Sequence, residues 1–412
     1  MSQVNRLWDD LRTNYWFVPA LMALTSIWVA FALVRLDQSL RDEVVRELGW
    51  IYTGGPEGAR SVLSVIAGSV IGVAGTTFSI TIAVLSLASG QYGPHLLRGF
   101  LRDTGNQVVL GAFTSTFLYC LLVLRTVRGT EQTTYVPHLS VTFGVVLALA
   151  DVGVLIYFIH HVSESIQVSN IIERVGKELD RAIERLFPED VGTKEGENAL
   201  PVGLPDVVAS ERSGYVVAVD TSALLHFASR SDLVVKLLAR PGEHVVEGQP
   251  LMSVWLAGGG PTERLRRAFA ISHARTTIQD AEYAFMQLSE IGIRALSPGT
   301  NDPFTAIACV DRLTASMCRL AKRGYPSEWR HDKRGRLRIV ANPYPYSRLV
   351  EAAFGHIRQA ASNQPAVLER LRNAIGVALS CTRNRGLATA LEAEHKRLGE
   401  AHGEKAAGLV GP

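Results

Sequence analysis

SVLSVIAGSVIGVAGTTFSITIAVLSLASGQYGPHLL, residues 61–97, contains no aspartate, glutamate, lysine or arginine. Its apolar core, Val62–Ala88, would measure about 40 Å as one straight helix, against about 30 Å of hydrocarbon in a bilayer. A stretch this long and this apolar reads as a membrane span that must tilt, break or project beyond the lipid. Gly68, Gly72, Gly75, Ser79 and Ala83 follow at steps of four, three, four and four, which draws one stripe of small residues down the helix. Such a stripe admits two readings: a seam where helix backbones pack closely, or the lining of a pore in an oligomer, where small side chains leave a lumen.

Three further stretches complete a four-span reading. No charged residue occurs from Thr13 to Val34 or from Thr104 to Leu124, and Val141–Ile159 is interrupted only by Asp151. Tyr15, Trp16, Trp50, Tyr52, Tyr135 and Tyr157 flank the spans, as amphipathic rings do at interfaces. A carboxylate near mid-span costs several kcal/mol unless paired, solvated or protonated, so Asp151 is a candidate proton or ion site. A protonated aspartate bonding to a neighbouring helix is the structural alternative, with Thr76, Thr77, Ser79 and Thr81 as possible partners. His160 and His161 are adjacent and point to different helix faces, which argues against a shared metal between them. The N-terminus lacks a small-residue cleavage site after its apolar run and reads as an uncleaved first span.

Residues 1–162 are mostly apolar, and residues 163–412 have the balance of a soluble chain. The net charge of +3 gives no sign of a nucleic-acid partner. Arginine outnumbers lysine 35 to 7 throughout, a compositional habit and not a binding device. Cys120, Cys309, Cys318 and Cys381 show no zinc or disulfide spacing, which fits a reducing compartment for the second half. Four spans put both termini on one side. Arginine and lysine beside the spans are balanced, so the large C-terminal half with its unpaired cysteines decides for the cytoplasm. The expected setting is a bacterial inner membrane, with the bilayer and further copies of the chain as partners.

The fourth span is expected to continue as a helical stalk through SESIQVSNIIERVGKELDRAIERLF, where Ile171, Val175, Leu179 and Ile183 recur at helical spacing. PEDVGTKEGENALPVGLP marks a linker, so residues 163–203 form stalk and linker. DVVAS, GYVVAVD, DLVVKLLA and PLMSVWL read as strands of a small β-rich region, 204–258. PGEHVVEGQPLMSVWL resembles the barrel-sandwich fold of biotinyl and lipoyl domains, but no lysine lies between Lys236 and Lys322 to carry such a group. Residues 259–412 are expected to be mainly helical, apart from a hairpin at EWRHDKRGRLRIVAN. The whole is an α-helical membrane protein with an α+β cytoplasmic region.

IRALSPGTNDPFTA, residues 293–306, gathers an arginine, a serine, an asparagine and an aspartate in one turn. Pro298 and Gly299 end one helix, and Asp302 with Pro303 begins the next, as N-cap and first helical residue. Caps and an Arg294–Asp302 or Arg294–Asp280 ion pair account for most of this polarity. Alternatively Asp280, Arg294, Asn301 and Asp302 form a recognition cluster for a ligand or partner. Ser297 has His273, 24 residues away, as its nearest candidate base in sequence, so catalysis is not indicated. No residue set points to a cofactor, a metal or a catalytic centre.

Three blocks, TTFSITIAVLSLASGQYGPHLLRGFLRDTGNQVVLGAFTSTFLYCLLVLR, IYFIHHVSESIQV and RTTIQDAEYAFMQLSEIGIRALSPGTNDPFTA, resemble a bacterial family of predicted membrane proteins, domain of unknown function twenty-two fifty-four. The resemblance extends over nearly the whole chain. It implies an inner-membrane protein with four spans and a cytoplasmic C-terminal region, and supplies no activity. Two functions follow as expectations: an oligomeric channel or transporter lined by the second span, or a membrane-anchored sensor or docking module.

Overall fold

The computed structural model describes residues 16–39, 52–93, 103–130, 133–187, 199–255 and 262–408. Trp50, the first residues of the chain and most of the linker after Phe187 lie outside them. The chain divides into two compact units, Met1–Gln167 and Val168–Pro412.

The first unit holds helices α1 (Phe17–Ser39), α2 (Pro56–Tyr92), α3 (Thr104–Leu124) and α4 (His138–Ser165), with a short hairpin, β1 (Arg128–Thr130) and β2 (Thr133–Tyr135), before α4. All four helices are long and apolar enough to cross a membrane. Tilting, breaking and projecting were all open for the second; it runs unbroken for 37 residues. Helix α3 is the hub and packs against the other three. Gly111 permits its approach to α1, since a Cβ there would lie 2.5 Å from Met22 Sδ and 3.3 Å from Pro19 Cα. Two aspartates pin opposite ends of the bundle. Asp37, near the end of α1, accepts from the Leu139 and Ser140 amides at 2.9 Å each, and so caps α4. Its negative charge complements the partial positive charge of that helix N-terminus. Asp103 caps α3 and also meets His161 Nε2, at the far end of α4, at 2.9 Å.

The stalk helix is not continuous with the fourth span. Helix α4 ends at Ser165 and α5 spans Val168–Leu186. Ser163 and Ser165 turn their hydroxyls back to the carbonyls of Ile159 and Val162, the local side-chain bonding that competes with a helix ladder. The expected apolar face of α5, with Ile171, Val175, Leu179 and Ile183, is buried.

The second unit combines sheets with helices. Strands β3 (Asp206–Ala209), β4 (Gly214–Val219), β5 (Val234–Leu237), β6 (His244–Val245) and β7 (Pro250–Trp255) include all four that the sequence suggests, with α6 (Thr221–Ser231) between β4 and β5. Beyond α7 (Thr262–Arg266), the structure adds to the expected helices and hairpin a further short strand, β8 (Phe269–Ser272), which pairs with β4. FAIS is too short for periodicity to separate strand from helix, and its partner decides. Helices α8 (Ala281–Ala295) and α9 (Pro303–Ala321) follow, then the expected hairpin β9 (Trp329–His331) and β10 (Leu337–Val340). That hairpin joins the earlier strands in a five-stranded sheet of order β3-β7-β5-β10-β9, in which β10 runs parallel to β5. Ile339 of β10 sits in one apolar core with Val208, Val235 and Leu251. Strands β6, β4 and β8 make a separate antiparallel sheet. The chain ends in α10 (Tyr346–Val350), a π-helical turn (Glu351–Gly355), α11 (His356–Ala360), α12 (Pro365–Cys381) and α13 (Arg385–Gly408).

The hairpin turn is held by Asp332, which accepts from the Arg334 and Arg336 amides and from Arg338 Nε at 3.0 Å. Burial alone would raise this carboxyl, but those donors outweigh it and hold the pKa at about 2. A carboxylate depressed in the folded state stabilises above its ordinary value near 4, and that stabilisation is lost as pH falls toward about 2. Asp332→Asn should therefore lower the melting temperature at pH 6. The gap to wild type should close as acid melts approach pH 2; a pH-independent gap would refute the linkage.

Candidate functional site

Within the first unit, the small-residue stripe points away from its own bundle. The packed face of α2 is Leu63, Ile66, Ala67, Val70, Ala74, Thr77 and Thr81. Gly68, Gly72, Gly75, Ser79 and Ala83 are all exposed, and a Cβ on any of the three glycines would meet nothing within 4 Å. Among the described residues the seam reading is therefore not realised inside a single chain. Backbone carbonyls one turn back take the nearby hydroxyls: Thr76 donates to Gly72 O at 3.0 Å and Ser79 to Gly75 O at 2.9 Å.

Asp151 faces inward from α4 and is 6% exposed. The hydroxyl partners expected from the second span are not the ones it meets. Thr81 is spent on Thr77 O at 2.8 Å, and the polar side chain set beside the Asp151 carboxyl is Thr116 on α3. The hub helix thus contributes to the surroundings of Asp151. Oδ2 of the carboxyl is buried without a hydrogen-bond partner. The same holds for Ser115 Oγ and for both polar atoms of the Asn106 side chain, which is 3% exposed. Each buried polar atom left unpaired costs roughly 1–3 kcal/mol, and the bilayer interior offers no relief. Asn106 and Thr116 lie ten residues apart on α3, about 15 Å along its axis. Near the Asn106 end stand Asp103 and His161, the latter stacked on Tyr157 at 5.3 Å. His160 instead meets Glu164 at 3.4 Å, so the two histidines do serve different faces. Uncharged Asn106 and Ser115 escaped sequence reading because a single amide or hydroxyl does not interrupt an uncharged apolar run; their orphaned state shows only once neighbours are placed.

In the second unit the four polar residues of the proposed recognition cluster do not converge. Asp280 caps the N-terminus of α8 and Arg294 lies in its last turn, about 20 Å away. Asp280 is 1% exposed and bonded by Arg275, with Nε at 2.8 Å. Arg294 pairs with Glu290, one turn back, at 2.9 Å, in place of the aspartate partners expected. Asn301, in the left-handed region at φ 46°, accepts from Gln364 at 2.7 Å. Asp302 caps α9 as expected, accepting from the Phe304 and Thr305 amides at 3.1 Å each. Among the described residues no group of three or more histidines, cysteines or carboxylates is placed to hold a metal ion.

The chain matches the family described as predicted membrane protein (DUF2254) over residues 12–376. An uncharacterized protein of Mycobacterium tuberculosis (strain CDC 1551 / Oshkosh) is 34% identical over 343 residues, which is 80% of this chain and 66% of the relative. The figures are the same for uncharacterized proteins of Mycobacterium bovis (strain ATCC BAA-935 / AF2122/97) and of Mycobacterium tuberculosis strain H37Rv. The match thus spans just under two thirds of these relatives' length. No solved structure matches the chain. Four apolar helices and the span of the family match agree: the chain belongs to the DUF2254 family of predicted membrane proteins.

Proposed function

We propose that the protein is an oligomeric channel or transporter of a bacterial inner membrane, with both termini in the cytoplasm. Copies meet through the outward small-residue face of α2, and Asp151 binds the proton or ion that moves. The observation that carries this reading is Asp151 itself: a carboxyl buried between α3 and α4 with one oxygen unpartnered. An ionisable group kept at that depth marks a path or a relay, since structure alone is served better by an apolar residue.

Proteoliposome flux is the test. Asp151→Asn should abolish a proton or cation flux that the wild-type protein supports, while both proteins elute alike from size exclusion. Ser79→Cys, on the exposed stripe, should give oxidative crosslinks between copies. Silence of the wild type under voltage and ion gradients, with a monomer in detergent, overturns the proposal. For the sensor alternative, Asp280 stands at one end of α8 and Arg294, Asn301 and Asp302 at the other.

A further inference from the structure

A cavity of about 410 Å³ opens within the second unit, between the end of α5, the chain after β5, the approach to α8 and the edge strand β9. That volume lies in the range of small-molecule sites. Its walls are apolar at Phe187, Val219, Leu237 and Ile278, and three arginines enter it: Arg185, Arg240 and Arg330. Among the described lining residues there is no aspartate or glutamate.

The three guanidiniums are not equally occupied. Arg185 donates to the carbonyls of Thr277 and Ile278 at 2.7 and 2.9 Å, bonds that orient it without cancelling its charge. Arg240 meets Glu243 at 3.0 Å and lies over the Tyr344 ring, 5.1 Å from its centroid. The Arg330 side chain is half-buried and has neither a hydrogen bond nor an ion pair among the described residues. Burial also lowers its pKa, the mark of a cation stripped of water without compensation. An unpaired, partly desolvated charge is costly to the fold unless something meets it. The guanidinium fork matches the oxygens of phosphate and carboxylate, and apolar walls favour a ligand with more than a bare ionic head.

We propose that this cavity binds a small organic anion, a phosphate or carboxylate carried on an apolar or planar body, with Arg330 meeting the charge and Arg185 and Arg240 flanking it. The site needs no conduction through the membrane unit, so it stands or falls apart from the function proposed above.

The test uses the detergent-purified full chain and three probes: mant-ATP, its uncharged counterpart mant-adenosine, and inorganic pyrophosphate as competitor. Mant-ATP should bind saturably, mant-adenosine should not, and pyrophosphate should displace the former. Arg330→Gln should weaken mant-ATP by about tenfold or more, the loss of one charge-assisted contact. Arg330→Lys should retain part of the affinity, and Arg264→Gln, on exposed α7, all of it. A second readout is independent of the probe: without ligand, Arg330→Gln should melt at or above the wild-type temperature, because it removes an unpaired charge. A lower melting temperature would make Arg330 a structural residue. That result, or equal affinity of mant-ATP for wild type and Arg330→Gln, or no saturable binding of mant-ATP at all, overturns the proposal.

Discussion

Replacing Arg275 with leucine is expected to destabilise the second unit by about 3–5 kcal/mol at neutral pH, among the largest losses available to a single side chain here. Asp280 is 1% exposed, and Arg275 holds it through Nε at 2.8 Å and Nη2 at 2.7 Å. Glu282, the next carboxylate, is already met by Arg348 at 2.9 Å, so that arginine is not idle to take over. The pH dependence has a definite sign. Burial raises the Asp280 carboxyl, and the Tyr283 amide and Arg275 pull it back. Without Arg275 it rises further, so the variant should recover stability relative to wild type as acid supplies the missing proton. Denaturant melts of the full chain at pH 7 and pH 5 measure this; a deficit that grows at pH 5 would refute it.

Gly242→Ala carries the second large effect, at the same place. Gly242 stands at φ +89°, where L side chains are strained, and its amide donates to Val216 O at 2.7 Å. A Cβ there would collide with Asp280 Oδ2 and lie 2.7 Å from Tyr344 Oη. The backbone conformation costs about 1–3 kcal/mol for a non-glycine residue, and overpacking roughly as much again. Tyr344 lines the cavity and donates to Pro241 O, so the displacement should also loosen mant-ATP binding. A melting temperature within a degree of wild type would show that the loop yields freely and that neither contact matters.

Local chemistry made much of this fold legible. The spans announce themselves because a charge in hydrocarbon is prohibitive, and uncharged runs are visible without neighbours. Asp302 with Pro303 is equally plain, since a cap is satisfied by amides two and three residues away. What stayed hidden depends on distant partners. Strand β10 pairs with β5 across about a hundred residues, with Ile339 opposite Val235, and nothing in EWRHDKRGRLRIVAN specifies that neighbour. Asp280 lies five residues from Arg275 and fourteen from Arg294; only the direction in which the chain enters α8 selects the former. The stripe on α2 was visible as a pattern, but the side it faces is decided by where α3 docks. Arg330 was one arginine among 35 until the described residues lining its cavity proved to include no carboxylate.

The unbroken length of α2 has a geometric consequence. Thirty-seven residues make a rod of about 55 Å. Leaning at about 40°, the steep end of the usual range, still leaves a vertical reach of about 42 Å. That equals the oily layer plus both zones of lipid phosphates and glycerol. Slope alone therefore cannot submerge this rod: where it crosses a membrane of ordinary thickness, its two ends, around Arg60 and Gly90, reach the headgroups or beyond.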